Sequence, residues 1–178
     1  MSNPNDKISI LPISSILIGI IRPHTVSPLE SIKALSKQWG KIKAPSRTFP
    51  FNHSTYYHEE MGTDLVKEFA WIESPLPYNT WAQLKENAME IENSSRIKNK
   101  RQINLDPTII TPHNVILLSC KNYSHRIPLT NSIFAEIELL YKNKAFEPLP
   151  WTYPDFVKSD YHSIFNETRK KLLTQSSK

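Results

Sequence analysis

The chain has 178 residues, 39% apolar and 22% charged, with seven Phe, seven Tyr and four Trp; these values are those of one folded domain and exclude a disordered chain. Fourteen Pro against three Gly mean turns built from fixed-φ proline, Asn and Ser, and they exclude a function that depends on a glycine-rich phosphate loop. A single Cys120 and a net charge of +5 allow no internal disulfide, fit a reducing, cytoplasmic compartment, and permit polyanion binding without requiring it.

Residues 1–13 read as a flexible lead. The apolar run 8–21 lacks the basic start and small-residue exit of a signal peptide, is interrupted by Pro12 and is too short to span a bilayer, so no membrane partner is expected. Ile16, Leu17, Ile18, Ile20 and Ile21 instead predict a buried strand. Ser27-Pro28-Leu29-Glu30 combines a capping serine, a proline at the first helical position and a glutamate able to reach back. Leu29, Ile32, Leu35 and Trp39 continue it as a helix that Gly40 closes, and a strand near Ile42 completes a βαβ start.

Residues 45–62 read as an ordered loop with one helical turn, and 65–72 as a strand. Asn79 or Thr80 caps a second helix whose apolar stripe is Trp81, Leu84, Ala88 and Ile91; the polar segment 93–100 after it is expected to be mobile. A short strand follows at 103–105. Thr111-Pro112 predicts a short helix through Leu118. Residues 125–129 and 133–141 form a hairpin around Thr130-Asn131-Ser132, Phe156, Tyr161, Ile164, Phe165, Thr168 and Leu172 trace a last helix, and 174–178 read as a flexible tail. The expected fold is α+β within one domain, 1–178. It is a mainly antiparallel sheet with helices on one face, a ferredoxin-like βαββαβ core plus a C-terminal helix, hairpin and helix.

Four polar segments carry the chemistry, and none matches a strong catalytic signature. Their side chains define a candidate ligand-binding cluster of Asn104, Asp106, His125, Arg126, Tyr153 and Asp155, and a second candidate cluster of Tyr56, Tyr57 and Glu60. His125 suits proton transfer and Arg126 suits a carboxylate or phosphate, but strand alternation would point the two to opposite faces. The simpler expectation pairs a half-buried Arg126 with Asp106 or Asp155, leaves His125 on the open side, buries Trp151 and Tyr153 between Pro150 and Pro154, and uses Asp155 to cap the last helix. Asp106-Pro107 alone reads as a turn, and the Tyr56, Tyr57 and Glu60 group as a packed loop.

No metal site is expected, because His53 and His58 are five apart, H-E-x-x-H is absent and one Cys cannot build a thiolate site. No cofactor is expected either. Cys120 reads as a small buried hydrophobe rather than a nucleophile paired with His125. Arg96, Lys98, Lys100 and Arg101 form a basic loop that offers weak nucleic-acid binding as a minor alternative.

Four stretches as they stand here, Thr55-Tyr56-Tyr57-His58-Glu59-Glu60-Met61-Gly62, Asn104-Leu105-Asp106-Pro107-Thr108, Lys121-Asn122-Tyr123-Ser124-His125-Arg126-Ile127 and Leu149-Pro150-Trp151-Thr152-Tyr153-Pro154-Asp155-Phe156, resemble an uncharacterised prokaryotic family, domain of unknown function 4416. The chain departs from it at Thr108 and in the turn Thr130-Asn131-Ser132, where glycine is usual. The resemblance implies a shared fold and no established activity. A GTP-binding label attached to some members finds no support, since Gly40-Lys41 is followed by Ile42 and no G-x-x-x-x-G-K-[ST] is present. Two readings remain: a non-catalytic interaction module that docks another protein or a second copy, and a pocket for a small anionic metabolite at the first cluster.

Overall fold

The β-branched run that begins near residue 15 becomes the middle of a sheet because it is apolar on both sides. The computed structural model describes residues 14–175 apart from Ala44, Pro75, Lys158 and Ser159; of the stretches expected to be flexible, 1–13 and 176–178 lie outside these, while 174 and 175 end the last helix. In chain order the elements are β1 (Ser15–Pro23), α1 (Leu29–Trp39), β2 (Ile42–Lys43), β3 (Phe49–Pro50), α2 (His58–Met61), β4 (Leu65–Ile72), a 3-10 turn (Tyr78–Thr80) and α3 (Trp81–Ser94). They continue as β5 (Asn104–Ile110), β6 (Asn114–Ser119), β7 (Ile127–Pro128), β8 (Phe134–Lys142), β9 (Ala145–Pro148), α4 (Pro154–Val157) and α5 (His162–Gln175).

Every pairing between these strands is antiparallel. The order is β2-β4-β1-β5-β6-β8-β7, with β3 also on β4 and β9 on β8. The fold is α+β with a mainly antiparallel sheet, and the succession β1-α1-β2-β4-α3-β5, laid out as β2-β4-β1-β5, supplies the βαββαβ core.

Alternation divides β1 between two cores. Ile16, Ile18 and Ile20 pack with Leu35 and Trp39 of α1 and with Leu84, Ala88 and Ile91 of α3. Leu17 faces the other way, toward Phe69, Phe156, Tyr161 and Phe165. A strand buried on both sides reads as a continuous apolar run, which is why it stands out in the sequence. Helices on one face describe α1 and α3; α5 covers the opposite face, so the sheet is sheltered on both. The cap of α1 works through Ser27, whose Oγ accepts the Leu29 amide at 3.3 Å, while Glu30 turns outward to Lys33. Gly40 closes the helix at φ 79°, in the positive-φ region that favours glycine.

The helix expected from Thr111 is instead a tight turn and strand β6. Thr111 Oγ1 accepts the amides of His113 and Asn114, both at 3.0 Å, the same hydroxyl chemistry that starts a helix. The following Val115-Ile116-Leu117-Leu118 then pairs between β5 and β8. A short apolar run does not distinguish a strand from a helical turn.

Candidate functional site

Strands β5 and β6 pair only through Thr108, Ile109 and Ile110. Toward Asn104, β5 stays bound to β1 and β6 stays bound to β8 out to Ser119, so the two strands part next to Pro107, which has no amide to bridge them. A cavity of about 490 Å³ opens at this split. It receives side chains from both faces of the sheet, which adjacent paired strands would otherwise separate.

Lys67, on β4, enters from the α5 side. Its side chain is 2% exposed, and Nζ donates to Asp155 Oδ2 at 2.5 Å among the rings of Phe51, Phe69, Phe156 and Tyr161, 4.5–5.9 Å from their centroids. Gly19 lies beside this passage: a Cβ there would come into contact, at 3.4 Å, with Lys67 Cε and with the Asp106 carbonyl. Lys85, on α3, arrives from the other face, donating to Leu105 O at 2.8 Å and Asp106 Oδ1 at 3.0 Å, with Glu92 3.9 Å away. Burial works against the charge of Lys85, but Asp106 and Glu92 outweigh it and hold the ammonium above the usual lysine range. Glu92 shows the converse: burial pushes its carboxyl up against the pull of Lys85.

Both candidate clusters contribute to this cavity. Asn104 donates to Asp106 Oδ2 at 2.6 Å and accepts from Arg101 Nη1 at 2.9 Å; Asp106, Asp155 and Tyr153 line the wall. Tyr56 and Tyr57 form the opposite rim. Tyr57 is the deeper, and burial together with Asp106 pushes its phenol far above the ordinary value. Glu60 stands behind the rim, holding Arg96 at 2.9 Å and Arg101 at 2.7 Å, and the hydrogen bond from Arg101 keeps its carboxyl below the usual range. The basic loop therefore turns its two arginines onto Glu60 at the cavity mouth. Its chain reverses through Lys98 and Asn99, both at positive φ.

His125 and Arg126 are arranged differently from the sequence expectation. Arg126 pairs with Glu136 of β8 at 2.6 Å, not with Asp106 or Asp155, and its side chain is 2% exposed. His125 Nε2 reaches the other oxygen of the same carboxylate at 2.8 Å. Strand alternation does not separate them because residues 123–126 form a turn, closed by the Arg126 amide on Tyr123 O, and the strand begins only at Ile127. Neither residue lines the cavity. Arg126 instead donates to the Tyr153 hydroxyl at 2.9 Å, holding that phenol in the wall.

The segment around Trp151 is also more open than its flanking prolines suggest. Trp151 is 40% and Tyr153 36% exposed; the indole stacks on His125 and donates to Ile137 O. Asp155 does not cap α5; it is buried within α4 and serves Lys67. The segment is pinned to β8 by Thr152 on the Glu138 carbonyl and by the Tyr153 amide on the Glu138 carboxylate, and burial pushes the Glu138 carboxyl up to about 8. Cys120 is exposed at the cavity rim rather than buried.

Lys67, Lys85 and Glu92 escaped the sequence reading, and Arg101 entered it only as part of the basic loop. Lys67 interrupts the apolar strand Leu65–Ile72, and Lys85 and Glu92 are seven residues apart beside the apolar stripe of α3. Charges set into otherwise apolar faces were the available signal. Among the described residues no group of three or more His, Cys, Asp or Glu is placed to hold a metal ion, and no helix is long and apolar enough to cross a membrane.

A family model described as "Domain of unknown function (DUF4416)" matches residues 13–172. No curated protein and no solved structure matches the chain.

Proposed function

Because the chain belongs to the DUF4416 family, whose description carries no activity, we propose from the geometry alone that the protein binds a small anionic metabolite in the cavity between β5 and β6. The observation that carries this reading is the convergence of two buried lysines, Lys67 and Lys85, on one solvent-reachable cavity from opposite faces of the sheet. Burying a charge costs several kcal/mol, and apolar replacements stabilise a fold as well or better, so stability alone does not call for two such residues. Buried charges converging on a concave site mark ligand chemistry, and the titration of Lys85 is displaced. The volume lies within the roughly 300–1,000 Å³ of small-ligand sites.

Arg126 supports the same reading at one remove, through Tyr153. The interaction-module reading rests on a different observation, a shallow apolar depression of about 210 Å³ lined by Trp81, Ile116, Ile127, Leu129, Ala135 and Ile137. It would make Leu129→Glu a monomerising change visible in sedimentation. The nucleic-acid reading is weakened by the engagement of Arg96 and Arg101 with Glu60.

Thermal shift with inorganic phosphate, citrate and a hexitol phosphate tests the proposal. A ligand at about 100 times its Kd stabilises the fold by about 2.7 kcal/mol, or about 5–11 °C for a chain of this size. The double variant Lys85→Met/Asp106→Asn removes a cation together with its partner, and it should lose the response. Equal shifts in both proteins, or none with any anion, would refute the proposal.

A further inference from the structure

The charges of the cavity are unevenly spread between its floor and its mouth. On the floor, Lys67 and Lys85 meet Asp155, Asp106 and Glu92, so the ammonium groups do not outnumber the carboxyls. At the mouth stand three cations, Arg96, Arg101 and Lys121; Arg96 and Arg101 pair with Glu60, and Arg101 also reaches toward Glu92 of the floor at 3.7 Å. Lys121 Nζ rests on the Tyr56 ring, 4.0 Å from its centroid.

We infer, resting on the reading of this cavity as an anion site, that its ligand is a phosphorylated polyol, with hydroxyl groups between the two Lys–Asp pairs and the phosphate at the mouth. A ligand ionised at every end, such as a tricarboxylate, would press one carboxylate against Asp106 and Asp155, and like charges at close range disfavour that pose. A hydroxyl has the complementary chemistry. It accepts from an ammonium and donates to a carboxylate at once, and the floor offers both groups side by side twice, at 2.5 Å in Lys67–Asp155 and 3.0 Å in Lys85–Asp106.

Two further features agree. Phe51 and Phe156 line the floor beside Lys67, giving an apolar surface to the C–H side of a carbon chain. Tyr153 accepts its hydrogen bond from Arg126, which leaves the phenolic proton to donate. The carboxyls Asp106, Asp155 and Glu92 sit with Lys67 and Lys85 on the floor, which leaves the mouth as the cationic end. A dianionic phosphate there gains charge-assisted bonds from guanidinium and ammonium donors.

Calorimetric titration of the full chain with glucitol 6-phosphate, glucitol, inorganic phosphate and citrate decides the matter. Glucitol 6-phosphate should bind at least about tenfold more tightly than phosphate or citrate, the difference of one or two good polar contacts, and glucitol alone should give no measurable heat. Lys121→Ala, at an exposed side chain, should weaken glucitol 6-phosphate about tenfold and leave the melting temperature unchanged. Citrate or phosphate binding as tightly as the polyol phosphate would overturn the polyol class while leaving an anion site in place. Unchanged affinity in Lys121→Ala would overturn the placement of the phosphate. Absence of binding by all four probes would overturn both this inference and the anion-site proposal.

Discussion

Replacing Lys67 by Met removes the ammonium from a pair whose side chains are 2% and 8% exposed and whose polar atoms are 2.5 Å apart. Asp155 is then a buried carboxylate without its cation, inside a ring of Phe and Tyr. Breaking such a pair from one side costs about 3–5 kcal/mol, and at roughly 2–4 °C per kcal/mol for 150–250 residues the melting temperature should fall by about 6–20 °C. Asp155→Leu should behave similarly, since it strands the ammonium. The double variant Lys67→Met/Asp155→Leu should recover most of the loss, because an apolar filling is about as stable as a buried pair. Urea unfolding followed by tryptophan fluorescence measures all four corners of the cycle, and the coupling should exceed about 2 kcal/mol. Single variants within ~1 kcal/mol of wild type, the value of an exposed pair, or simple additivity, would show that Lys67 is not buried against Asp155.

Trp151→Ala should cost about 1–2 kcal/mol, for one hydrogen bond and one stacked contact, whereas Phe165→Ala, at a fully buried ring, should cost about 3–5 kcal/mol; chemical unfolding of both variants tests the order. Glu138 should make stability depend on pH. Its carboxyl lies near 8 in the fold against an ordinary 4.5, so the fold keeps a proton that the unfolded chain has lost. The associated stability is fully present below about pH 4.5 and is lost as pH rises to about 8. Glu138→Gln should remove that loss, gaining on wild type by an amount on the order of a few kcal/mol at the alkaline end; parallel pH profiles would contradict it. Glu60→Gln releases Arg96 and Arg101 at the mouth, and should tighten citrate or hexitol phosphate binding several-fold in calorimetry; weakened binding would show that Glu60 positions the arginines rather than competing with the ligand.

The fold was legible where one signal dominated. The apolar run of β1, the stripe Trp81, Leu84, Ala88 and Ile91 of α3, and the hairpin around residues 130–132 are all local patterns. The sequence misled where one local chemistry serves two structures, as at Thr111, whose hydroxyl binds following amides in a hairpin turn as it would at a helix start. Strand β9 was missed because its turn uses Asn143 and Lys144 at positive φ without a glycine to announce it.

The site was half visible. Asn104, Asp106, Tyr153 and Asp155 share the cavity with Tyr56 and Tyr57, but their union depends on the splitting of β5 from β6, a tertiary event with no sequence pattern of its own. Arg126 required an acid, as the cost of burying a guanidinium dictates. Which acid it found was set by the register that places Glu136 on β8 beside β6 and β7.

The most direct test of the anion site is to map where an anion lands. In a titration of isotope-labelled protein with inorganic phosphate and with glucitol 6-phosphate, followed by backbone amide chemical shifts, the saturable changes should cluster at Tyr57, Lys85, Arg101, Asp106 and Cys120, with the exposed surface of α5 at Lys170 and Lys171 unmoved. Changes confined to that surface, or non-saturable shifts scattered over all exposed cations, would contradict a built anion site between β5 and β6.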